Sequence, residues 1–186
     1  MDIETNLSII IPNHNEKEIE WVYTYCRYFF PYAEIIVEND PMGMGKGYTV
    51  RRGLEKSTKD WVVFIDGDMD IHPREIKKLI EVQADAVIAT KKIRKDSRQW
   101  LSIISRFIIR HIFQTNISDT QTGLKLFNRK ILPRWKTDGF MFDVEILTKL
   151  EKKGIEIKEV TIDCLTATKK KGLKDIIKCT YELLTL

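Results

Sequence analysis

The stretch Trp61-Val62-Val63-Phe64-Ile65-Asp66-Gly67-Asp68-Met69-Asp70 sets an apolar run directly against an acidic turn. Five apolar residues without a polar interruption are too continuous for a strand with one wet face. Trp61 to Ile65 is therefore predicted to be a strand buried on both sides, as in a parallel sheet covered by helices. Ligands of open parallel sheets bind at the carboxyl ends of the strands, and three acids at alternating positions there can converge on one hard cation. Carboxylates suit Mg²⁺ or Mn²⁺, and Gly67 lets the backbone turn closely. Asp66, Asp68 and Asp70 are the candidate metal ligands; the bland alternative is a solvated, Asp-rich turn.

The same alternation extends outward on both sides. Leu7 to Pro12 reads as a strand closed by proline, with Asn15 and Glu18 spaced as a capping box for the helix that follows. Glu34 to Val37 and Asp85 to Ala89 read as further strands, Gly45 to Lys56 as a helix, and Pro73 as the start of another. Arg98 to Phe113 has the spacing of a long amphipathic helix, with Leu101, Ile104, Ile108 and Ile112 on one side. After a loop at Asn116 to Gly123 come a segment Leu124 to Asn128, a helix Phe142 to Lys153 closed by Gly154, a strand Ile155 to Ile162 and a helix Gly172 to Leu186. The expectation is an α/β fold with a mostly parallel central sheet and helices on both faces. One domain is expected over 1–186, with a nucleotide-binding half at 1–95 and an acceptor half with a C-terminal amphipathic helix at 96–186.

With 186 residues and 43% hydrophobic composition the chain can bury one core but is short for two. Its net charge of +4 comes from basic and acidic residues spread along the chain. So mild a balance suits a phosphate-bearing ligand or an anionic membrane surface and does not argue for nucleic acid. Cys26, Cys164 and Cys179 form no Cys-x-x-Cys pair, so reduced thiols in a cytoplasmic protein are expected. The acidic start does not read as a secretory signal, and no apolar stretch reaches the roughly 18 to 20 residues of a membrane span. A soluble chain, or one peripheral on the cytoplasmic face of a membrane, is the expectation.

Other polar groups fall after predicted strands. Pro12-Asn13-His14-Asn15-Glu16 follows the first and Glu38-Asn39-Asp40 the second, where an acid could accept hydrogen bonds from a ribose or base. Gly43-Met44-Gly45-Lys46-Gly47 opens a predicted helix, so its backbone N–H groups and Lys46 could approach a diphosphate. It lacks the Walker spacing, and a plain flexible turn is the alternative.

Taken in order, these segments resemble family 2 glycosyltransferases of the GT-A fold, a Rossmann-like architecture, and among them the dolichol-phosphate mannose synthase-like, polyprenyl-phosphate group. The likeness runs through IIIPNHNE, IIVEND, FIDGDMDIHPREI, the segment Asp119-Thr120-Gln121-Thr122-Gly123-Leu124-Lys125, and Phe140-Met141-Phe142-Asp143-Val144-Glu145. His14 stands where Tyr or Phe is usual, and Glu38-Asn39 where Asp-Asp is commoner. The resemblance implies a nucleotide pocket lined by Pro12, His14, Glu16 and Asn39, with Lys46, Asp66 and Lys91 also on the nucleotide sugar. It implies Asp66, Asp68 and Asp70 on Mg²⁺ or Mn²⁺, an acceptor phosphate held by Arg98, Arg106 and Lys125, and Asp68, Asp119, Arg106 and Lys125 at the reacting groups. Its donors are nucleotide-diphosphate sugars of the GDP-mannose or UDP-glucose type, its acceptor a polyprenyl phosphate, and a membrane-protein partner is compatible with it.

Two alternatives stand beside that reading. A family 2 enzyme acting on a sugar hydroxyl would need a general base, for which Asp119, Asp143 and Glu145 are candidates. A non-catalytic receiver-like regulatory domain would modify Asp66, but it wants acids directly after its first strand, where this chain has Pro12-Asn13-His14-Asn15.

Overall fold

The computed structural model describes residues 3–91, 117–120 and 122–165. Six strands form one sheet in the order β2-β1-β3-β5-β4-β6: β1 Leu7–Asn13, β2 Glu34–Asn39, β3 Trp61–Ile65, β4 Ala86–Lys91, β5 Leu124–Asn128 and β6 Lys158–Ile162. β1 runs parallel to β2 and β3, and β4 runs parallel to β6. β5 is reversed, lying antiparallel between β3 and β4. The helices are α1 Ile19–Phe29, α2 Lys46–Lys56, α3 Ile76–Glu81 and α4 Phe142–Lys152.

Alternate side chains of each central strand go to opposite faces, and both faces are buried. Ile9, Ile11, Val63, Ile65, Leu124 and Leu126 pack with Val22 and Cys26 of α1 and with Ile76 and Leu79 of α3. Ile10, Val62, Phe64, Ile88 and Phe127 pack with Val50 of α2 and with Ile146, Leu147 and Leu150 of α4. Continuous apolar runs follow from this arrangement, since neither face of a middle strand reaches water. The mostly parallel α/β sheet with helices on both faces is as the sequence predicts.

Some local expectations are corrected. Asn15 takes a left-handed conformation at φ +58 instead of capping a helix, and α1 begins only at Ile19 with no side-chain cap. The bond made is Glu16 N to Asn13 Oδ1 at 3.0 Å: a turn competes with the helix for the same polar residues. The helix predicted from Pro73 starts as a single 3-10 turn, Pro73–Glu75, with His72 accepting from Arg74 N at 3.1 Å. Residues 155–157 precede β6 without joining it, and Gly154 ends the α4 region at φ +73, as glycine after a helix should. The helices expected at Arg98 to Phe113 and Gly172 to Leu186 lie outside the described residues.

Candidate active site

The carboxyl edge of the sheet gathers the acidic turn after β3, the loop before β5 and the first turns of α2 and α4. Asp66 N donates to Gly123 O at 3.0 Å, which lays the Asp66 side chain on Gly123. A Cβ at residue 123 would stand 2.0 Å from Asp66 Oδ2, so only glycine leaves the carboxylate room. The other oxygen, Oδ1, receives Lys46 Nζ at 2.6 Å. Lys46 Nζ lies 3.9 Å from Asp143 Oδ2 and over the Phe142 ring, 5.7 Å from its centroid. On the far side of Asp143, Oδ1 takes Lys125 Nζ at 3.0 Å, and Lys125 also donates to Thr122 O. Two ammonium groups and two carboxylates thus alternate along one line at the sheet edge.

Their environments differ. Burial works against a charge on Lys46, but Asp66 and Asp143 overcome it and hold its pKa above the ordinary lysine value. Lys125 is 2% exposed, and there burial outweighs Asp143 while Lys46 adds repulsion, so its pKa is lowered. Lys125, expected on an acceptor phosphate, has its ammonium enclosed and bonded to Asp143 and to the loop carbonyl. Lys125 lies one residue inside the strand, opposite Phe64, with its side chain on the α4 side of the sheet.

The acidic turn divides in two. Met69 adopts φ +57, and Asp68 Oδ1 accepts from Asp70 N at 3.1 Å. Asp70 is buried and bonds Lys91, whose pKa is raised because that bond, with Asp70's charge, outweighs burial. Asp70, expected on the metal, and Lys91, expected on the nucleotide sugar, are thus bonded to each other. Among the described residues no group of three or more Asp, Glu, His or Cys side chains is placed to hold a metal ion. Asp66 and Asp68 nonetheless fit a hard cation by their chemistry, and the Lys46 ammonium against Asp66 shows that this position draws positive charge.

On the opposite flank, Asn13 Nδ2 donates to Asn39 Oδ1 at 2.7 Å. These two residues line a groove with Ile19, Glu20, Tyr23 and Val37. His14 is exposed, its Nδ1 3.2 Å from Asp40 O; Pro12 and Glu16 are half-buried beside it. Glu38 is enclosed and paired with Arg52 at 3.2 Å and with Lys56, so it is structural. Asp40 accepts from Met44 N and Gly45 N, both at 2.8 Å.

The start of α2 is closed as well. Gly47 N donates to Gly139 O at 3.2 Å and Tyr48 N to Asp138 O at 3.1 Å. Glycine at 45 and 47 permits this, since a Cβ there would lie 2.4 Å and 2.3 Å from the carbonyl oxygens of Asp138 and Thr137. Of the backbone N–H groups expected to approach a diphosphate, those of Gly43, Met44, Gly45 and Gly47 are already bonded within the protein, and the Lys46 side chain reaches the acidic turn.

Of the carboxylates weighed as general bases, Asp119 is buried, Asp143 holds the two lysines, and Glu145 ties down the 136–137 loop. Glu145 takes Thr137 N at 2.9 Å, Thr137 Oγ1 at 2.6 Å, Lys136 N at 3.1 Å and Lys149 Nζ at 2.6 Å. Burial alone would raise its pKa, but these donors bring it down to about 2. Arg98 and Arg106 lie outside the described residues. Sequence reasoning missed the Asn13–Asn39 pair, for which parallel neighbouring strands ending in Asn were the available signal. It also missed Gly123 as the floor under Asp66, which no local pattern announces.

The chain matches the family described as Glycosyl transferase family 2 over residues 20–135. It is 32% identical over 183 residues to a dolichyl-phosphate beta-glucosyltransferase of Saccharomyces cerevisiae, an alignment covering 83% of this chain and 55% of that protein. Another such enzyme, from Trichomonas vaginalis, is 26% identical over 180 residues, with 86% and 53% covered. The chain thus spans about half the length of the curated relatives it matches. Among solved structures, glucosyl-3-phosphoglycerate synthase from Mycobacterium tuberculosis, in complex with Mn²⁺, UDP and glucosyl-3-phosphoglycerate, superposes with a TM-score of 0.78. It is 17% identical, with 96% of this chain and 77% of that one covered, and the likeness is one of fold.

Proposed function

The chain belongs to glycosyl transferase family 2, and from that premise we propose that it transfers glucose, with inversion, from UDP-glucose to a dolichyl-type polyprenyl phosphate. The observation that carries the reading is the strand-end turn of Asp66 and Asp68, in which Asp66 faces a lysine cation, in a chain whose relatives are named dolichyl-phosphate beta-glucosyltransferases. The fold neighbour's complex with UDP and Mn²⁺ supports a uridine donor and a divalent cation. GDP-mannose, the other donor type that the resemblance implies, becomes the control.

Asp66 and Asp68 would hold the cation, Mg²⁺ or Mn²⁺; when bound, it offsets the charge that grows on the leaving diphosphate. Lys46 supplies a further positive group beside it. The groove at Asn13 and Asn39 offers amide donors and acceptors to the nucleoside. An acceptor phosphate oxygen attacks the anomeric carbon, the bond from that carbon to the donor's β-phosphate oxygen breaks, and its electron pair leaves with UDP. A phosphate monoester, with a second pKa of about 6, is already ionised near neutral pH. No carboxylate base is required, in keeping with Asp143 and Glu145 being engaged elsewhere. Arg98 and Arg106 are proposed to bind the acceptor phosphate, and Asp119 to order the loop or contact the sugar.

No helix among the described residues is long and apolar enough to cross a membrane. Contact with the cytoplasmic face of a bilayer, where such an acceptor resides, is proposed to be peripheral or through a membrane-protein partner. The test supplies radiolabelled UDP-glucose or GDP-mannose with a short prenyl phosphate or the matching prenyl alcohol, with Mn²⁺ or chelator. Metal-dependent glucose transfer to the phosphate is expected; transfer to the alcohol alone overturns the reading and returns a base role to Asp119.

A further inference from the structure

The Asp66 carboxylate already binds a cation that belongs to the protein. Lys46 Nζ sits 2.6 Å from Asp66 Oδ1, and Asp143 Oδ2 stands 3.9 Å away. Asp66 cannot retreat, because Gly123 lies under its other oxygen and holds its N–H. Asp143 is fixed as well: its Oδ1 is bonded to Lys125, which Thr122 O holds in turn. The mobile member of the line is the Lys46 side chain, whose four-carbon stem can move its ammonium from Asp66 toward Asp143 by about 1 Å without moving α2.

A divalent cation and an ammonium group cannot both sit at contact distance on one carboxylate oxygen without strong repulsion. We propose that Lys46 is the resident counter-ion of Asp66, that the divalent cation displaces it, and that Asp143 is the positioning residue that receives the displaced ammonium. There it stays within reach of the donor's diphosphate. The N–H groups of Gly47 and Tyr48 are bonded to the carbonyls of Gly139 and Asp138, so those two donors are withheld from the anion and the Lys46 side chain serves it. The inference rests on the metal reading given above and adds an order to it: cation first, then diphosphate on the released lysine.

The exchange predicts opposite effects of one substitution. Mn²⁺ alone is titrated into the protein with the free-ion electron paramagnetic resonance signal as readout, and UDP is titrated by calorimetry at saturating Mn²⁺. If Lys46 occupies Asp66 for roughly nine-tenths of the time, removing it should tighten Mn²⁺ binding about tenfold, the inverse of the competent fraction. Lys46→Met is therefore expected to bind Mn²⁺ about tenfold more tightly and UDP more weakly, while Lys46→Arg returns both toward the parent. Lys46→Gln, neutral and of similar length, decides the matter where Lys46→Met unfolds. Asp143→Asn should bind Mn²⁺ more weakly than the parent, because the ammonium loses its second partner. Mn²⁺ affinity equal to or below the parent's in the neutral variants overturns the exchange and leaves the metal reading standing. Absence of Mn²⁺ binding in the parent and every variant overturns both.

Discussion

Replacing Gly123 by alanine tests the site at its floor. The new Cβ would stand 2.0 Å from Asp66 Oδ2 and 2.3 Å from Asp66 Cγ, whereas ordinary contact needs about 3.5 Å. The carboxylate must therefore move by about 1.5 Å. Gly123 is not among the glycines at positive φ, so alanine suits its backbone and the whole conflict is with Asp66. Overpacking of this kind costs about 1–3 kcal/mol, and the lower end is expected because a side-chain tip can give way. For a metal ligand the same shift is large: losing a partner that orients a ligand costs about 10- to 100-fold in affinity. Gly123→Ala should fold, with a modest drop in thermal midpoint, and lose Mn²⁺ affinity by that factor. Circular dichroism melting and the free Mn²⁺ signal read the two effects separately. A folded Gly123→Ala protein that binds Mn²⁺ like its parent would refute the placing of Asp66 as ligand.

Asp68→Ala should retain the fold, since the turn buries little of this half-buried residue, and abolish sugar transfer at saturating Mn²⁺; near-normal turnover under excess chelator would contradict the metal assignment. Lys125→Met breaks the buried pair with Asp143 between β5 and α4 and should lower stability by about 3–5 kcal/mol in urea denaturation, most of it regained in Lys125→Met/Asp143→Leu. Glu145, with its pKa down at about 2, contributes stability that is complete above the ordinary glutamate value and is lost as pH falls from there through about 2. Glu145→Gln should flatten the acid limb of a stability-versus-pH curve in that window.

The architecture was legible because burial on both sheet faces writes itself as uninterrupted apolar runs: WVVFI is β3 residue for residue, whereas β5, interrupted by Lys125, was not read as a strand. The place of Asp66 and Asp68 at the carboxyl edge of the sheet was legible because position after a buried strand is local information. Pairing across the chain was not. Glu38 looked like a ribose contact, yet Arg52 and Lys56 sit one helical turn apart on α2 and close over it. Asp70 looked like a third ligand, but β4 ends with Lys91 opposite it. The glycines before α2 looked like a phosphate cradle until the 137–139 loop was seen to fill it. In each case the partner lies more than ten residues away, where a local reading of the sequence does not reach.

The reversed strand explains why so remote a segment reaches the acidic turn at all. Parallel strands deliver to the carboxyl edge the loops that follow them, as β1, β2 and β3 do here. An antiparallel strand delivers the loop that precedes it, so Thr122 and Gly123 arrive at this edge through the first residue of β5, Leu124, paired with Ile65. Lys125, one step further in, must then lie opposite Phe64 with its side chain between α2 and α4. A lysine there needs a carboxylate on the same side, and Asp143, in the first turn of α4, meets it. Once Asp143 is fixed by Lys125, its second oxygen faces Lys46 across 3.9 Å. The buried pair between sheet and helix and the lysine on the acidic turn are thus linked by the direction of one strand. A variant that removes Lys125 together with Asp143 can keep the sheet stable, and it should still lose the second partner of Lys46 and the bond that holds the loop before β5.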